Sequence, residues 1–128
     1  KQVLNYGQPG KAPLCILSGG ETTVKINNFK GRGGRNSQFL LSLCISLNSE
    51  KNIYAIACDT DGIDGLESNA GSLIYPNTLE RGIKLGMDAK DYLNRNDSYS
   101  YFSKLNDLVI TGPTKTNVND FRALIISN

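Results

Sequence analysis

Histidine is absent from this sequence. Its absence excludes imidazole metal ligands and any nucleophile activated by a Ser-His-Asp or Cys-His arrangement within the chain. Any acid–base chemistry must therefore use carboxylates, lysines or groups from a partner domain.

Cysteine is scarce. Cys15, Cys44 and Cys58 each lie inside an apolar segment, and no CxxC spacing joins them. An odd number of such cysteines indicates reduced core residues rather than a disulfide framework or a structural metal site. This usage is typical of a cytoplasmic protein.

Long apolar runs and excess charge are also missing. No stretch approaches the roughly 18 apolar residues that a membrane span needs. The formal net charge is +2, too small to attract nucleic acid or a membrane surface. The 128 residues, 39% of them hydrophobic, are enough for one globular domain. We expect no nucleic acid and no membrane among its partners.

The charged residues that are present are unevenly placed. Segment 25–35 has only basic charged residues, and segment 59–67 has only acidic ones. Such loops are often no more than solvated surface, but together they also suit a phosphate and its metal ion. If they share a site, Arg35 should lie within about 10 Å of the acidic loop.

Hydrophobic periodicity predicts an α/β domain. Strands are expected at 14–18, 21–27, 52–59, 107–111 and 121–127, and helices at 36–48, 77–87, 88–96 and 97–106. The tight Gly19-Gly20 turn makes the first two strands antiparallel, so we expect a mixed β-sheet with flanking helices. The continuous apolar run at 52–59 indicates a strand buried on both faces. Residues 1–12 are interpreted as a linker or the end of a preceding domain, and 13–128 as the domain itself.

A glycine-rich loop precedes the first long helix. Gly31, Gly33 and Gly34 leave the backbone N–H groups open to an anion, and the helix N-terminus adds its dipole. Arg35 can add a bidentate guanidinium. The loop lacks the ending of a Walker loop and the spacing of a dinucleotide fingerprint, and a plain surface turn also explains it.

Three further loops are candidates for ligand binding. "DTDGIDGLE" departs from a calcium loop, but Asp59 or Asp61 at its strand end can hold Mg²⁺; Asp-Gly turns are the alternative explanation. "RNDSY" is also explained as a helix stop followed by an N-cap. "TGPTKTNVND" follows a strand directly, where open α/β sheets bind their ligands.

Taken together, "LSGGETTV", "GRGGRNSQF", "CDTDGIDG", "RNDSY" and "TGPTKTNVNDFR" resemble the C-terminal MOFRL domain of the glycerate 2-kinase family. Members of that family have also been labelled hydroxypyruvate reductases. The resemblance covers residues 13 to 126. It implies a single MOFRL-like domain whose larger N-terminal partner domain is absent from this chain.

The resemblance also implies an activity. ATP and D-glycerate would bind in the cleft between the two domains, and the 2-hydroxyl would be phosphorylated with Mg²⁺. A functional lysine is expected from the N-terminal domain, and the isolated chain is expected to be inactive. A homodimer is compatible with this arrangement.

Site residues follow from the family motifs. Arg35 would be the catalytic arginine that stabilises the transferring phosphoryl group, and Asp59, Asp61 and Asp64 would hold the metal. The residues expected to bind phosphate or substrate are Ser18, Gly19, Gly20, Glu21, Thr22, Gly33, Gly34, Asn36, Asn96, Asp97, Ser98, Thr111, Gly112, Thr114, Thr116, Asn117 and Asn119. The family usually continues after the arginine with asparagine, glutamine and glutamate, whereas this chain has Asn36, Ser37 and Gln38. Gln38 can accept a hydrogen bond but cannot form an ion pair.

Two other functions remain open. One is an NAD(P)H-dependent hydroxypyruvate reductase, the older family label, although no dinucleotide glycine pattern supports hydride chemistry. The other is a binding module without catalysis when the chain is isolated.

Overall fold

The computed structural model describes residues 1–21, 23 and 31–128. Its strands, in chain order, are β1 (Leu14–Gly19), β2 (Ile53–Asp59), β3 (Gly71–Ile74), β4 (Leu108–Val109) and β5 (Asp120–Ile126). Its helices are α1 (Gln2–Tyr6), α2 (Arg35–Leu47), α3 (Thr78–Lys84), α4 (Ala89–Asn94) and α5 (Ser98–Lys104). No helix in these ranges is both long enough and apolar enough to cross a bilayer.

The strands form one sheet in the order β1-β5-β2-β3-β4. The α/β class with flanking helices is confirmed, but every strand pairing in the described ranges is antiparallel rather than mixed. The reason is the position of β5. The strands β1 and β2 run in the same direction, and β5 lies between them and pairs with both. The predicted strand at 21–27 falls mostly outside the described residues.

Two elements differ from the sequence prediction. The strand β3 was missed, because four residues are too few to show a periodicity. Its Gly71 lies so close to β2 that a Cβ would overlap the carbonyl oxygen of Ala57. The helix α1 lies in the segment interpreted as a linker, and its Val3 packs against Ile53 and Ile126.

The helices cover one face of the sheet. From α2, Leu40, Leu41 and Cys44 are buried against β2 and β3, and α5 adds Tyr101 and Phe102. Burying one such side chain contributes about 1.5–3 kcal/mol. This core therefore fixes α2 across the sheet, with its first residue at the edge where β2 ends and β5 begins.

The helix caps follow the sequence in part. The Asp88 side chain accepts the Lys90 N–H at 3.0 Å, as expected for an N-cap. Asp97 occupies the N-cap position of α5 but makes no side-chain bond to that helix's backbone. Helix α2 is followed by the C-cap residue Asn48, whose φ of 51° is left-handed.

Candidate functional site

Arg35 lies at the centre of the candidate site as the first residue of α2. Its Nε lies 2.9 Å from Oδ2 of Asp120, and its Nη2 lies 2.7 Å from Oδ2 of Asp59. The third nitrogen, Nη1, lies 3.5 Å from Oε1 of Glu21, whose side chain is exposed. The Arg35 side chain keeps 26% of its surface exposed. A positioned guanidinium thus faces solvent beside three carboxylates.

The sheet register explains this cluster. Asp59 and Asp120 are cross-strand partners, and both are buried on the helix side. Two carboxylates placed directly opposite each other repel unless a cation lies between them. The hydrogen bond to Asp120, with the nearby carboxylates, raises the pKa of Arg35 above its usual value. The pKa of Asp59 is also raised, chiefly by burial. The expected proximity of Arg35 to the acidic loop is confirmed.

The N-terminus of α2 carries its own anion. Asp64 Oδ1 accepts the Asn36 N–H at 3.0 Å, and Asp64 Oδ2 accepts the Ser37 N–H at 2.9 Å. The Asn36 side chain also donates to Asp64 and to Asp120. At the helix N-terminus that was predicted to favour an anion, the Asn36 and Ser37 amides are therefore already paired. A carboxylate 28 residues away in sequence takes that place.

The three aspartates expected to hold a metal have different surroundings. Asp59 Oδ1 accepts the Asp61 N–H at 3.1 Å, and Asp61 Oδ1 accepts the Ile63 N–H at 2.8 Å. Asp64 is directed at α2. Within the described ranges, no three Asp, Glu or Cys side chains are placed to share a metal ion. Asp59 and Asp61 remain as carboxylates beside the cluster, whereas helix capping accounts for Asp64.

The glycines of the basic loop allow close packing. A Cβ on Gly31 would overlap the carbonyl oxygens of Arg95 and Asn96. Gly33 has a φ of 142° and lies against Ser98, and Gly34 lies against Asp64. The expected site residues Asn96, Asp97 and Ser98 therefore adjoin the glycine loop.

Backbone hydrogen bonds join the same two segments. The Tyr99 N–H donates to the Arg32 carbonyl at 2.9 Å, and the Arg32 N–H donates to Asp97 Oδ1 at 3.3 Å. The Arg32 side chain makes two 2.8 Å bonds to Glu67 and lies 4.4 Å from the centre of the Tyr99 ring. Both described arginines of the basic loop are thus paired with acidic residues.

The "LSGG" turn lies at the same edge of the sheet. Arg122 Nη2 donates to the carbonyl of Gly19 at 2.8 Å and to the carbonyl of Gly20 at 3.3 Å. It also lies 3.3 Å from Ser18 Oγ. Glu21 continues from this turn towards Arg35, and Thr22 lies outside the described residues.

The polar loop after β4 packs on the start of the acidic loop. Thr60 Oγ1 donates to the Asn119 carbonyl at 2.7 Å and accepts the Val118 N–H at 2.9 Å. The Thr114 N–H donates to the Asp61 carbonyl at 3.2 Å. The loop's expected site residues are exposed, except for the half-buried Gly112: Thr111, Thr114, Thr116, Asn117 and Asn119.

Sequence reasoning missed three residues of the site. Asp120 holds Arg35, Arg122 holds the "LSGG" turn, and Thr60 holds the polar loop. Asp120 had one available signal, a carboxylate at the start of an apolar strand directly after a candidate ligand loop. Thr60 and Arg122 lie inside the quoted motifs, but nothing in the local sequence assigns either of them a role.

Gln38 does not contact Arg35. Its Nε2 lies 3.5 Å from the carbonyl of Leu93 in α4, and its Oε1 is buried without a hydrogen-bond partner among the described residues. The orientation of Arg35 is set by Asp120 and Asp59 instead.

Comparison with known proteins gives consistent matches. A family model described as MOFRL family matches residues 14–120. A protein of Agrobacterium vitis named putative hydroxypyruvate reductase is 54% identical over 121 residues, which are 94% of this chain and 31% of that protein. The D-glycerate 2-kinase of Thermotoga maritima is 39% identical over 120 residues, which are 94% of this chain and 28% of that enzyme.

A solved structure shares the fold. A crystal structure of glycerate kinase from Thermotoga maritima matches with a TM-score of 0.93 at 38% identity, covering 98% of this chain and 30% of that one. The chain therefore spans about three tenths of the length of the relatives it matches.

Proposed function

The chain belongs to the MOFRL family, and on that premise we propose that it is the C-terminal domain of a glycerate 2-kinase. The reaction is the ATP- and Mg²⁺-dependent phosphorylation of D-glycerate at its 2-hydroxyl, in a cleft shared with an N-terminal domain. The kinases among its relatives support this reaction class.

The observation that carries the proposal is the setting of Arg35. Asp120 and Asp59 hold its Nε and Nη2, so the guanidinium plane is fixed before any ligand arrives. Its remaining contact is the longer one to exposed Glu21. An oriented arginine can stabilise charge on a transferring phosphoryl group without reorganising during the reaction. Among the described residues, a ligand anion would have to displace only Glu21.

The remaining loops suit a nucleotide and its metal. Asp61 suits a magnesium site completed by substrate phosphate, whereas both oxygens of Asp59 and both of Asp64 already accept hydrogen bonds. Bound Mg²⁺ would neutralise charge on the phosphates. Ser18 to Glu21 and the exposed loop 111–119 would line the cleft with backbone amides, hydroxyls and side-chain amides.

An ADP-release assay on the full-length protein tests the reaction. The proposal predicts ADP formation that requires D-glycerate, ATP and Mg²⁺ together. L-glycerate and omission of Mg²⁺ are the matched controls. ADP release without glycerate dependence would contradict the assignment of substrate.

The same preparation tests for hydroxypyruvate reductase activity, which is the activity in the name of the Agrobacterium vitis relative. A reductase would consume NAD(P)H with hydroxypyruvate, and the proposal predicts no such consumption. Failure of both assays with a folded full-length protein would favour a binding module.

A further inference from the structure

One face of the sheet lies open in this chain. Outward-pointing side chains come from the odd positions of 15–19 in β1, the even positions of 54–58 in β2 and the odd positions of 121–125 in β5. We call this surface the open face. All five described helices pack on the opposite side.

The open face is apolar and accessible. The exposed fractions are 66% for Leu17, 52% for Ile125 and 40% for Phe121, with Tyr54 at 39% beside them. None of the positions that define the face carries a charged residue. A sheet face that meets water normally alternates towards polar residues. A contiguous apolar surface across three strands is instead typical of an interaction site.

The strand sequences lead to the same conclusion. The segments "IYAIACD" and "DFRALII" are apolar at nearly every position, a pattern of strands covered on both faces. The described helices supply only one of those covers. On the other face Leu17, Phe121 and Ile125 stay exposed among the described residues.

We propose that the open face is the docking surface for an apolar surface of the N-terminal domain of the same polypeptide. This inference rests on the two-domain protein of the proposed function. The relatives that match this chain carry about seven tenths of their length outside the match. A tethered cover binds at high effective concentration, which a separate partner lacks.

The position of α1 is compatible with this docking. Val3 holds α1 against Ile53 and Ile126, at one end of the strands that form the open face. Because Ile53 and Ile126 face the helix side, a segment preceding α1 would reach the open face around these strand ends. In this arrangement the open face is the interface between the two domains. The edge of the sheet beside Arg35 stays free to bind the ligand.

The reactivity of the Cys15 thiol measures directly whether the open face is covered. It is exposed in this chain and belongs to the open face. The experiment measures its alkylation by iodoacetamide in the full-length protein, native and in urea, with site-resolved mass spectrometry. The matched control is Ser103→Cys, since Ser103 is exposed on α5 in the helix layer.

The proposal predicts that native Cys15 reacts at least about tenfold more slowly than unfolded Cys15 in the monomeric species separated by size. The cysteine introduced at position 103 should react at nearly the same rate in both states. Rapid alkylation of native Cys15 would overturn the proposal, and protection confined to a dimeric species would overturn it in favour of a second copy. Because alkylation needs no turnover, a failed kinase assay leaves this result unaffected.

Discussion

Asp64 was expected from the sequence to hold a metal ion, but its hydrogen bonds stabilise the start of α2. It is buried, and it accepts hydrogen bonds from the Asn36 and Ser37 amides at the start of α2. These amides have no partner within their own helix. Asp64 thus holds the first turn of α2 and, with it, the backbone of Arg35.

Replacing Asp64 tests this role. Asp64→Ala leaves two buried amides without partners, so the free energy of unfolding should fall by about 2–4 kcal/mol. Urea denaturation measures it. Asp91→Ala is the control, because Asp91 forms an exposed pair with Arg95 and should cost less than about 1 kcal/mol. Equal losses in the two variants would contradict the capping role.

Burial of three weak acids gives the chain a pH dependence. Burial raises the pKa of Cys44, Cys58 and Tyr101 to about 12 each, from ordinary values of 9.0, 9.0 and 10.0. Between about pH 9 and pH 12 the unfolded chain releases protons that the folded chain retains. The free energy of unfolding should therefore fall as the pH rises through this window.

Urea denaturation at a series of alkaline pH values measures that slope. The double variant Cys44→Ala with Cys58→Ala should flatten it, because both thiols whose pKa is raised by burial are then absent. A slope that is the same in the double variant and in wild type would refute the assignment.

Among the structural elements, the glycine loop at residues 31–34 allows the close packing that positions α2. Gly31 and Gly33 allow the backbone of 95–99 to approach, and the bond from Tyr99 to Arg32 closes the contact. The position of α2 relative to α4 and α5 therefore depends on Gly31 and Gly33. From the sequence, these glycines were interpreted as part of a phosphate-binding loop.

Gly31→Ala tests the close approach. Its new methyl group would overlap the carbonyl oxygens of Arg95 and Asn96, so stability should fall by about 1–3 kcal/mol. Gly19→Ala is the matched control, since its nearest neighbour, the Asp120 carbonyl oxygen, would be 3.7 Å away. Thermal unfolding of both variants decides the point, and a Gly31→Ala protein as stable as Gly19→Ala would exclude the packing role.

Sequence alone predicted the elements whose signal is local. The periodic α2, the apolar runs of β2 and β5 and the placement of Arg35 at a loop–helix junction were predicted within a few residues. The strand β3 was too short to show a period. The position of β5 between β1 and β2 is set by long-range pairing, which no local pattern encodes.

The site was predicted unevenly for the same reason. Arg35 and Asp59 were identified because their motifs are local. Asp120 lies 85 residues from Arg35, and its role depends on the cross-strand register with Asp59. The capping by Asp64 likewise depends on a tertiary contact.

At the scale of the whole molecule, the chain is half of a proposed cleft. The Arg35 edge offers charge and hydrogen-bonding loops, and the functional lysine that the family resemblance implies would lie in the other domain. The chain alone should therefore show no glycerate-dependent ADP release, even where circular dichroism confirms that the chain is folded. The full-length protein should be active in the same assay. Activity of the chain alone would show that it holds a complete site.

The most direct test of the Arg35 assignment is kcat for Arg35→Ala in the full-length protein, with ATP, Mg²⁺ and D-glycerate. Arg35→Lys keeps the positive charge but cannot make hydrogen bonds to Asp120 and Asp59 at the same time in the arginine geometry. Arg95→Ala is the control, because it removes an arginine that forms an exposed ion pair elsewhere in the chain. We predict a loss of kcat of about 10³-fold for Arg35→Ala, a partial loss for Arg35→Lys and no loss for Arg95→Ala, each measured below the melting temperature of that variant. A folded Arg35→Ala enzyme that keeps kcat within a few-fold of wild type would contradict the assignment of Arg35 to phosphoryl transfer.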